Sequence, residues 1–591
     1  MCRRQAPLSI QTHEAPLPNP SSSSARLVLA LLGAICSVAL SGGWLSEAFA
    51  GRAQDVRYGL PTVLLLAVAA ALCAIWPRPA LPDRTLSPPA GTAFALLAGG
   101  LGLSACAMAV NLMLPAVFAG RIDAMQADML VVIELGVQRF LSGANPYAIY
   151  RVPWEVPLPY GPYLWGPFVI PVALNADLRI LTLITLLTVP ASCIWAAAVC
   201  ARTGRLAASA LFTVLGAAIV FQPAVQHFFA IGHTQVYWPL LVIFAWLLAA
   251  ERWTAAAVAL GCLVVARTTM VSLVPVFVMF LWHRQLLTMS RVLALLAAIV
   301  IPFLPFAIAD PGALWYALYG SYQKVMKEVV WRTQWAHHTI GFTGFLLRHG
   351  MERYVELTQA AALAVVYTAA WRRIARGARP EPWLALALLV FSMTSLWPVI
   401  YVYFDVFVLV AAALASSVLA PSQSVRDFAS GMAVIVICST TLVLSAATHQ
   451  AGIAPDVDVG TPAAAALTTQ GFDGAQVEDG RTYATVHQQV GTVRIPRASR
   501  SAASIHLVAK GCSTQSAVQR LEASLNGHSL GSAVLRNDWN ETVFTASSRA
   551  WYYGVNALEL RFTAPLASEV PGAPPSARSC VAAIDRVTVK P

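Results

Sequence analysis

The chain is 591 residues long, 58% hydrophobic and only 11% charged, with a mean hydropathy of +0.64. A soluble protein carries about 25% charged residues, so most of this chain must face lipid or a large, dry helical core. The formal net charge of +11 does not point to nucleic acid, because the basic residues fall in short clusters between apolar runs, at Arg78/Arg84, His283/Arg284/Arg291 and Arg372/Arg373/Arg376/Arg379. That is the positive-inside bias that orients helices against the inner leaflet.

Residues 1–25, with Arg3, Arg4, several prolines and Ser21–Ser24, read as a disordered cytoplasmic leader. The apolar run 27–45 has the core of a signal sequence but no clear small-residue cleavage site after it, so it reads as a first spanning helix. Further runs of spanning length, about 20 residues, fall near 59–76, 92–119, 179–200, 254–281, 291–309, 399–419 and 430–447. Shorter ones lie near 161–174, 207–222, 236–250, 356–371 and 383–397. The expected fold class is therefore a polytopic α-helical membrane region over 26–447, with about thirteen spans. An odd number of spans from a cytoplasmic N-terminus leaves the C-terminus outside and puts the three basic clusters in the cytoplasm. The two long polar loops, 120–160 and 310–355, then lie outside as well. Arg202/Arg205 is the one basic pair that this count misplaces.

Composition changes sharply near residue 448. Gly480, Gly491, Asn526-Gly527, Gly531, Gly554 and Asn556 punctuate short alternating runs at 492–495, 504–508, 557–562 and 583–589. Period-two alternation between turn residues predicts an antiparallel β-sandwich over 448–591, and Asn-Gly is a strong hairpin turn. Eight cysteines sit at the N-terminus or inside apolar runs, without metal-ligand spacing, whereas Cys512 and Cys580 stand alone in the hydrophilic tail. Those two are expected to form one disulfide in an oxidising exterior compartment. Trp539, Trp551, Tyr552 and Tyr553 suit sugar stacking if exposed and a packed core if not.

Ionisable groups near lipid are costly unless they work, which draws attention to loop 120–160. It carries Arg121, Asp123, Asp128, Glu134 and Arg139, then Gly143-Ala144-Asn145-Pro146-Tyr147, then Tyr150, Trp154 and Pro159-Tyr160-Gly161-Pro162-Tyr163. Residues 128–141 have the spacing of a helix lying on the membrane surface, and the Tyr/Trp/Pro run suits the headgroup interface. Asp128, the Gly-x-x-Pro-Tyr segment ending at Tyr147 and the Tyr/Pro-rich entry to the next helix resemble the first exterior loop of the GT-C membrane glycosyltransferases. The resemblance is to the polyprenol-phosphate-mannose-using mannosyltransferases of the GT87 type, and it covers roughly residues 90–420. Gly232-His233-Thr234-Gln235 is similar to their Gly-Gln-x-Asn segment but departs in detail. The family's usual Lys in the following helix is replaced around Arg267-Thr268-Thr269.

The resemblance implies an outer-face active site and inverting transfer from a polyprenyl-phosphate sugar to a lipid or glycan acceptor; no cofactor is expected, and no metal either, because the adjacent His337-His338 point to different sides and no partner triad is visible. Such chemistry needs a general base for the acceptor hydroxyl and cations for the departing phosphate. Asp128 is the expected base, with Asp123 as fallback. Lys324, Arg332, His337 and His338 of the second exterior loop, together with Tyr147 and Tyr160, are expected to bind the donor phosphate and sugar. Each has a plainer reading: Asp128 as a helix cap, Lys324 as a solvated or headgroup contact, Tyr160 as an interface anchor. Two other classes stay open, a transporter or flippase of lipid-linked substrates and a non-catalytic anchor for a sugar-binding domain.

Overall fold

The computed structural model describes residues 88–118, 122, 124–152, 155–328, 331, 343, 346–347, 350–396, 402–417, 437, 440–445, 456–461, 464, 467–478, 480–497, 500–512, 519–552, 554–562 and 580–590. They form a helical region followed by a β-rich region built from two sheets. The expected spans at 27–45 and 59–76, and most of the one at 430–447, lie outside the described residues.

Three helices are long and apolar enough to cross a membrane: Ala90–Leu114 within α1 (Pro88–Phe118), α4 (Leu178–Arg202) and α10 (Met289–Ala309). A fourth crossing is available if α5 (Leu206–Phe221) and α6 (Pro223–Ile231), bent by 46° at Gln222, are taken as one. The other apolar helices are shorter than a full span: α3 (Pro162–Leu174), α7 (Trp238–Ala249), α8 (Trp253–Ala266), α9 (Thr268–His283), α14 (Glu381–Met393) and α15 (Val402–Ser416). The run 254–281, continuous in the sequence, is thus two helices that break at Arg267. About thirteen spans were expected from run lengths alone. Among the described residues three or four helices are long and apolar enough to cross a membrane, and breaks such as the one at Arg267 divide some of the runs.

Burial sorts these helices into an inner and an outer set. Every residue of α15 is buried, and α7 and α14 pack against it. On α1, Ala95, Ala98, Cys106, Ala109, Met113 and Val117 are buried at helical spacing, while Leu96, Leu97, Leu101, Met108 and Leu112 face outward. α10 is apolar and almost wholly exposed, with Leu293, Leu296, Val300, Ile301, Leu304 and Ile308 open. At about 1.5 Å rise per residue its 21 residues span about 30 Å, the thickness of a bilayer's hydrocarbon core. Exposed aromatics lie near both ends, Trp282 before it and Trp315 and Tyr319 after it, the positions where ring side chains settle at a membrane interface.

In the β-rich region one sheet runs β10 (His528–Leu535), β9 (Gln519–Leu525), β12 (Gly554–Phe562), β7 (Val490–Arg497), β4 (Thr468–Gln470). The other runs β11 (Asn540–Ala546), β8 (Ala503–Gly511), β13 (Ala582–Lys590), β6 (Arg481–Val486), β5 (Phe472–Glu478), with β3 (Asp456–Asp458) also on β13. All pairings are antiparallel, and the four alternating runs fall in β7, β8, β12 and β13. Alternate residues of both sheets, such as Val493, Leu521 and Leu558 against Ile505, Leu507 and Ile584, share one core, which is sandwich packing. Asn526 and Gly527 form the β9–β10 turn with φ of 53° and 82°.

A disulfide joins Cys512 to Cys580 across 68 residues, tying the end of β8 to the start of β13. A loop of that length constrains the unfolded chain by about 4 kcal/mol in the chain-entropy treatment. Reducing agent should therefore lower the denaturation midpoint of the β-rich region, and a Cys512→Ser/Cys580→Ser variant should match the reduced wild type. An unchanged midpoint would show that the bond does not hold the sandwich together.

Trp551 is fully buried in the sandwich core, so its packing role accounts for it. Trp539 is only partly covered; it stands edge-on to Tyr483 at 5.3 Å, with the Lys510 ammonium 4.9 Å from its ring. Tyr553 lies outside the described residues.

Candidate functional site

Loop 120–160 builds its own scaffold. α2 (Ala124–Leu141) has a break at Ala127, with φ −135° and ψ 47°, and Asp128 follows it directly. The Asn145 carbonyl accepts from Arg139 Nε at 2.7 Å, and Asn145 Oδ1 accepts from the Tyr147 N–H at 3.0 Å, a local Asx turn. Tyr147 is thereby turned inward and buried, where its hydroxyl donates to the Tyr160 carbonyl at 3.1 Å and accepts from Trp165 Nε1 at 3.4 Å. A short ribbon, β1 (Ile149–Arg151) on β2 (Glu155–Pro157), closes the loop, and the Tyr150 hydroxyl donates to the Pro146 carbonyl at 2.5 Å. The Asn-Pro-Tyr segment therefore acts as a pin that fixes Tyr160.

Tyr160 is held from the other side by Gly161, whose Cα lies so close to α8 that an added Cβ would stand 2.1 Å from the Val265 carbonyl oxygen. That contact sets Tyr160 beside Arg267, two residues further along, with the guanidinium carbon 5.9 Å from the ring centroid. Gly161→Ala should cost about 1–3 kcal/mol, as overpacking does, and should displace Tyr160 from Arg267. A variant that melts and works like wild type would remove Gly161 as a positioning element.

Arg267 is only 7% exposed. It stands in extended conformation at the end of α8, where its N–H still donates to the Leu263 carbonyl at 2.8 Å. Several polar groups gather around it from distant parts of the chain. Arg267 reaches the Tyr160 hydroxyl, Thr234 stands beside it with its Oγ1 unbonded among the described residues, and Asp128 acts on the same hydroxyl through its charge. The guanidinium also lies within electrostatic reach of His233, Tyr237, Tyr322 and Asp405. Asp405 is 1% exposed on α15. Its Oδ1 accepts from the Tyr237 hydroxyl at 2.7 Å and Trp238 Nε1 at 2.9 Å, and its Oδ2 accepts from the same hydroxyl at 2.8 Å. A buried carboxylate so bonded, near a buried cation, satisfies the rule that interior charges are paired.

The segment 232–235 comes close through Gly232, at φ 110°, where a Cβ would lie 2.9 Å from Leu130 of α2. His233 Nδ1 accepts from the Thr234 N–H at 2.9 Å. Burial, reinforced by the Arg267 charge, pushes the imidazole down to about 3. The ring is therefore neutral near pH 7 and carries its proton on Nε2.

Asp128 accepts from the Met129 N–H at 2.7 Å and, among the described residues, has no cation partner. Burial raises its carboxyl above the ordinary 3.8, and the Met129 N–H only partly offsets this. A carboxylate easier to protonate than usual is a better proton acceptor near neutrality. The Tyr160 phenol is also raised, chiefly by burial, and stays protonated as a donor.

Loop 310–355 contributes differently from expectation. Lys324 on α12 (Ser321–Glu328) is exposed, and Lys327 pairs with Glu356 at 2.6 Å. It is Tyr322 of the same helix whose hydroxyl is enclosed near Arg267 and Tyr160, and burial pushes it up to about 12. Asp123, Arg332, His337 and His338 lie outside the described residues. The two loops share a cleft of about 470 Å³, lined by Arg139, Asn145 and Tyr147 from the first and Asp310, Gly312 and Tyr316 from the second.

Asp405, Tyr237 and Tyr322 were not singled out from the sequence. The signal for Asp405 was present, as one carboxylate inside the apolar run 399–419. Among the described residues no three His, Cys, Asp or Glu side chains gather as a metal site. The chain matches no protein-family model, no curated protein and no solved structure.

Proposed function

We propose that the chain is a GT-C-type integral membrane glycosyltransferase that moves a mannose-like sugar from a polyprenyl-phosphate donor to a lipid or glycan acceptor on the outer face of the cytoplasmic membrane. One observation carries this reading. A half-buried carboxylate with no cation partner among the described residues, Asp128, and a buried guanidinium, Arg267, both act on the single hydroxyl of Tyr160. Asp128 takes the proton of the acceptor hydroxyl, and that oxygen attacks the anomeric carbon. The bond from that carbon to the phosphate oxygen breaks with inversion, and polyprenyl phosphate leaves. Arg267 and the neutral His233 offer N–H donors to the oxygen on which charge develops. In this reading about thirteen helices cross the bilayer, the exposed α10 faces lipid, and the β-rich region lies outside with the site.

A second reading draws on a specific feature. α5 and α6 bend by 46°, α8 and α9 break at Arg267, and an acid and a cation lie buried nearby. Broken helices around buried charges also occur in transporters. The two readings separate when purified protein in liposomes is given radiolabelled polyprenyl-phosphate mannose and short mannosides. A transferase moves label into the mannoside and leaves unlabelled polyprenyl phosphate. Movement of intact lipid between leaflets, with no label transferred, would replace it with the transporter.

A further inference from the structure

We infer that Gln235, with Thr269, forms the subsite that recognises the hydroxyls of the donor sugar, an inference that rests on the glycosyltransferase reading. Gln235 is 1% exposed. Among the described residues neither its amide oxygen nor its amide nitrogen has a hydrogen-bond partner. Thr269 Oγ1 is likewise enclosed and unbonded. Leaving a buried polar group unsatisfied is costly, and a primary amide has two donors and two acceptor lone pairs to satisfy. Gln235 is the one amide among the described residues with both polar atoms enclosed and unbonded, so a polar group entering beside it would complete its bonds.

The position of these orphaned atoms in the chain indicates what enters. Gln235 directly follows His233 and Thr234, and Thr269 stands two residues after Arg267. These two segments are the ones brought together at the Tyr160 hydroxyl and the Arg267 charge. Where Arg267 meets the phosphate, the sugar bonded to that phosphate must lie beside it. An uncharged polyhydroxy ring offers the neutral donors and acceptors that an amide and a hydroxyl lack here. A charged partner would instead be drawn to Arg267, Asp405 or Asp128, so the orphaned groups are left for neutral hydroxyls. Ordered water is the competing occupant, since buried waters bridge such groups.

The test compares binding of polyprenyl-phosphate mannose and sugar-free polyprenyl phosphate to the full chain in micelles, for wild type and Gln235→Met. Methionine has a similar length and no hydrogen-bonding amide. Wild type should bind the mannosylated lipid more tightly than the bare lipid. Gln235→Met should bind bare polyprenyl phosphate as wild type does while losing about tenfold of the sugar-dependent increment, the effect of one or two hydrogen bonds. Its thermal midpoint should equal or exceed wild type, because an unsatisfied amide has been removed. A retained increment in Gln235→Met would overturn the subsite and leave water as the partner, with the transferase reading intact. Wild type binding neither lipid would instead count against the transferase reading itself. If Gln235→Met is poorly folded, Gln235→Glu, which keeps the shape but replaces the amide donor, must change the preference among mannosyl, glucosyl and galactosyl lipids; an unchanged preference overturns the subsite.

Discussion

Asp128→Asn should lower the transfer rate by about 10²–10⁴-fold, the usual contribution of a general base, while its thermal midpoint stays at or above that of wild type. The two effects have one cause. Burial raises the Asp128 carboxyl above 3.8, so the folded protein binds that proton more tightly than the unfolded chain does. Ionised Asp128 therefore costs stability at neutral pH, and a neutral amide of the same shape relieves that cost. The pH profile of wild-type kcat/KM should fall on the acid side, with its midpoint above 3.8, as Asp128 regains its proton. His233, held at about 3, contributes nothing to a limb in that position, and the limb should vanish in the residual activity of Asp128→Asn. If the carboxylate only caps the helix after the Ala127 break, the opposite pattern appears: Asn keeps activity, and Asp128→Ala loses about 1 kcal/mol of stability.

Arg267 should show strong coupling to Asp405. Arg267→Met leaves the Asp405 carboxylate buried without its nearby cation, which should cost at most about 3–5 kcal/mol, the loss when one partner of a contacting interior pair is removed. Tyr237 and Trp238 still bond the carboxylate, which favours the lower end of that range. Adding Asp405→Asn should restore most of the lost stability and none of the activity. Removing the charge that meets the leaving phosphate should cost about 10²–10³-fold in rate. Arg267→Lys should fold well and recover only part of the rate, because an ammonium lacks the planar fork that fits phosphate oxygens. Thermal melts of the four proteins, read beside their transfer rates, separate the two roles. A double variant with restored activity would mean that Arg267 serves only to balance Asp405.

The sandwich was legible in the sequence because a half-buried strand imposes a period of two and Asn-Gly marks its turn. The runs at 492–495, 504–508, 557–562 and 583–589 accordingly lie in strands, and Cys512 and Cys580 are joined. Loop 120–160 draws attention in the sequence because acids and aromatics stand out against apolar flanks, and the resemblance to a family pattern points within it to Asp128, Tyr147 and Tyr160. The Arg267 cluster is not legible there, since Tyr160, His233, Arg267, Tyr322 and Asp405 are scattered between positions 160 and 405 and meet only through helix packing. Run length also conceals breaks: 254–281 reads as one span, yet a helix ends where Arg267 leaves the helical conformation to face polar partners. Lys324 shows the converse. A cation in a promising loop faces solvent, while Tyr322 two residues earlier turns inward.

The most direct measurement of the central claim is the product balance after incubating wild-type protein with polyprenyl-phosphate mannose and a mannoside acceptor. Mass spectrometry should find free polyprenyl phosphate and the lengthened mannoside in equal amounts from wild type, and neither above background from Asp128→Asn. Equal product from both proteins would contradict the assignment of Asp128, and intact donor throughout would contradict transfer itself.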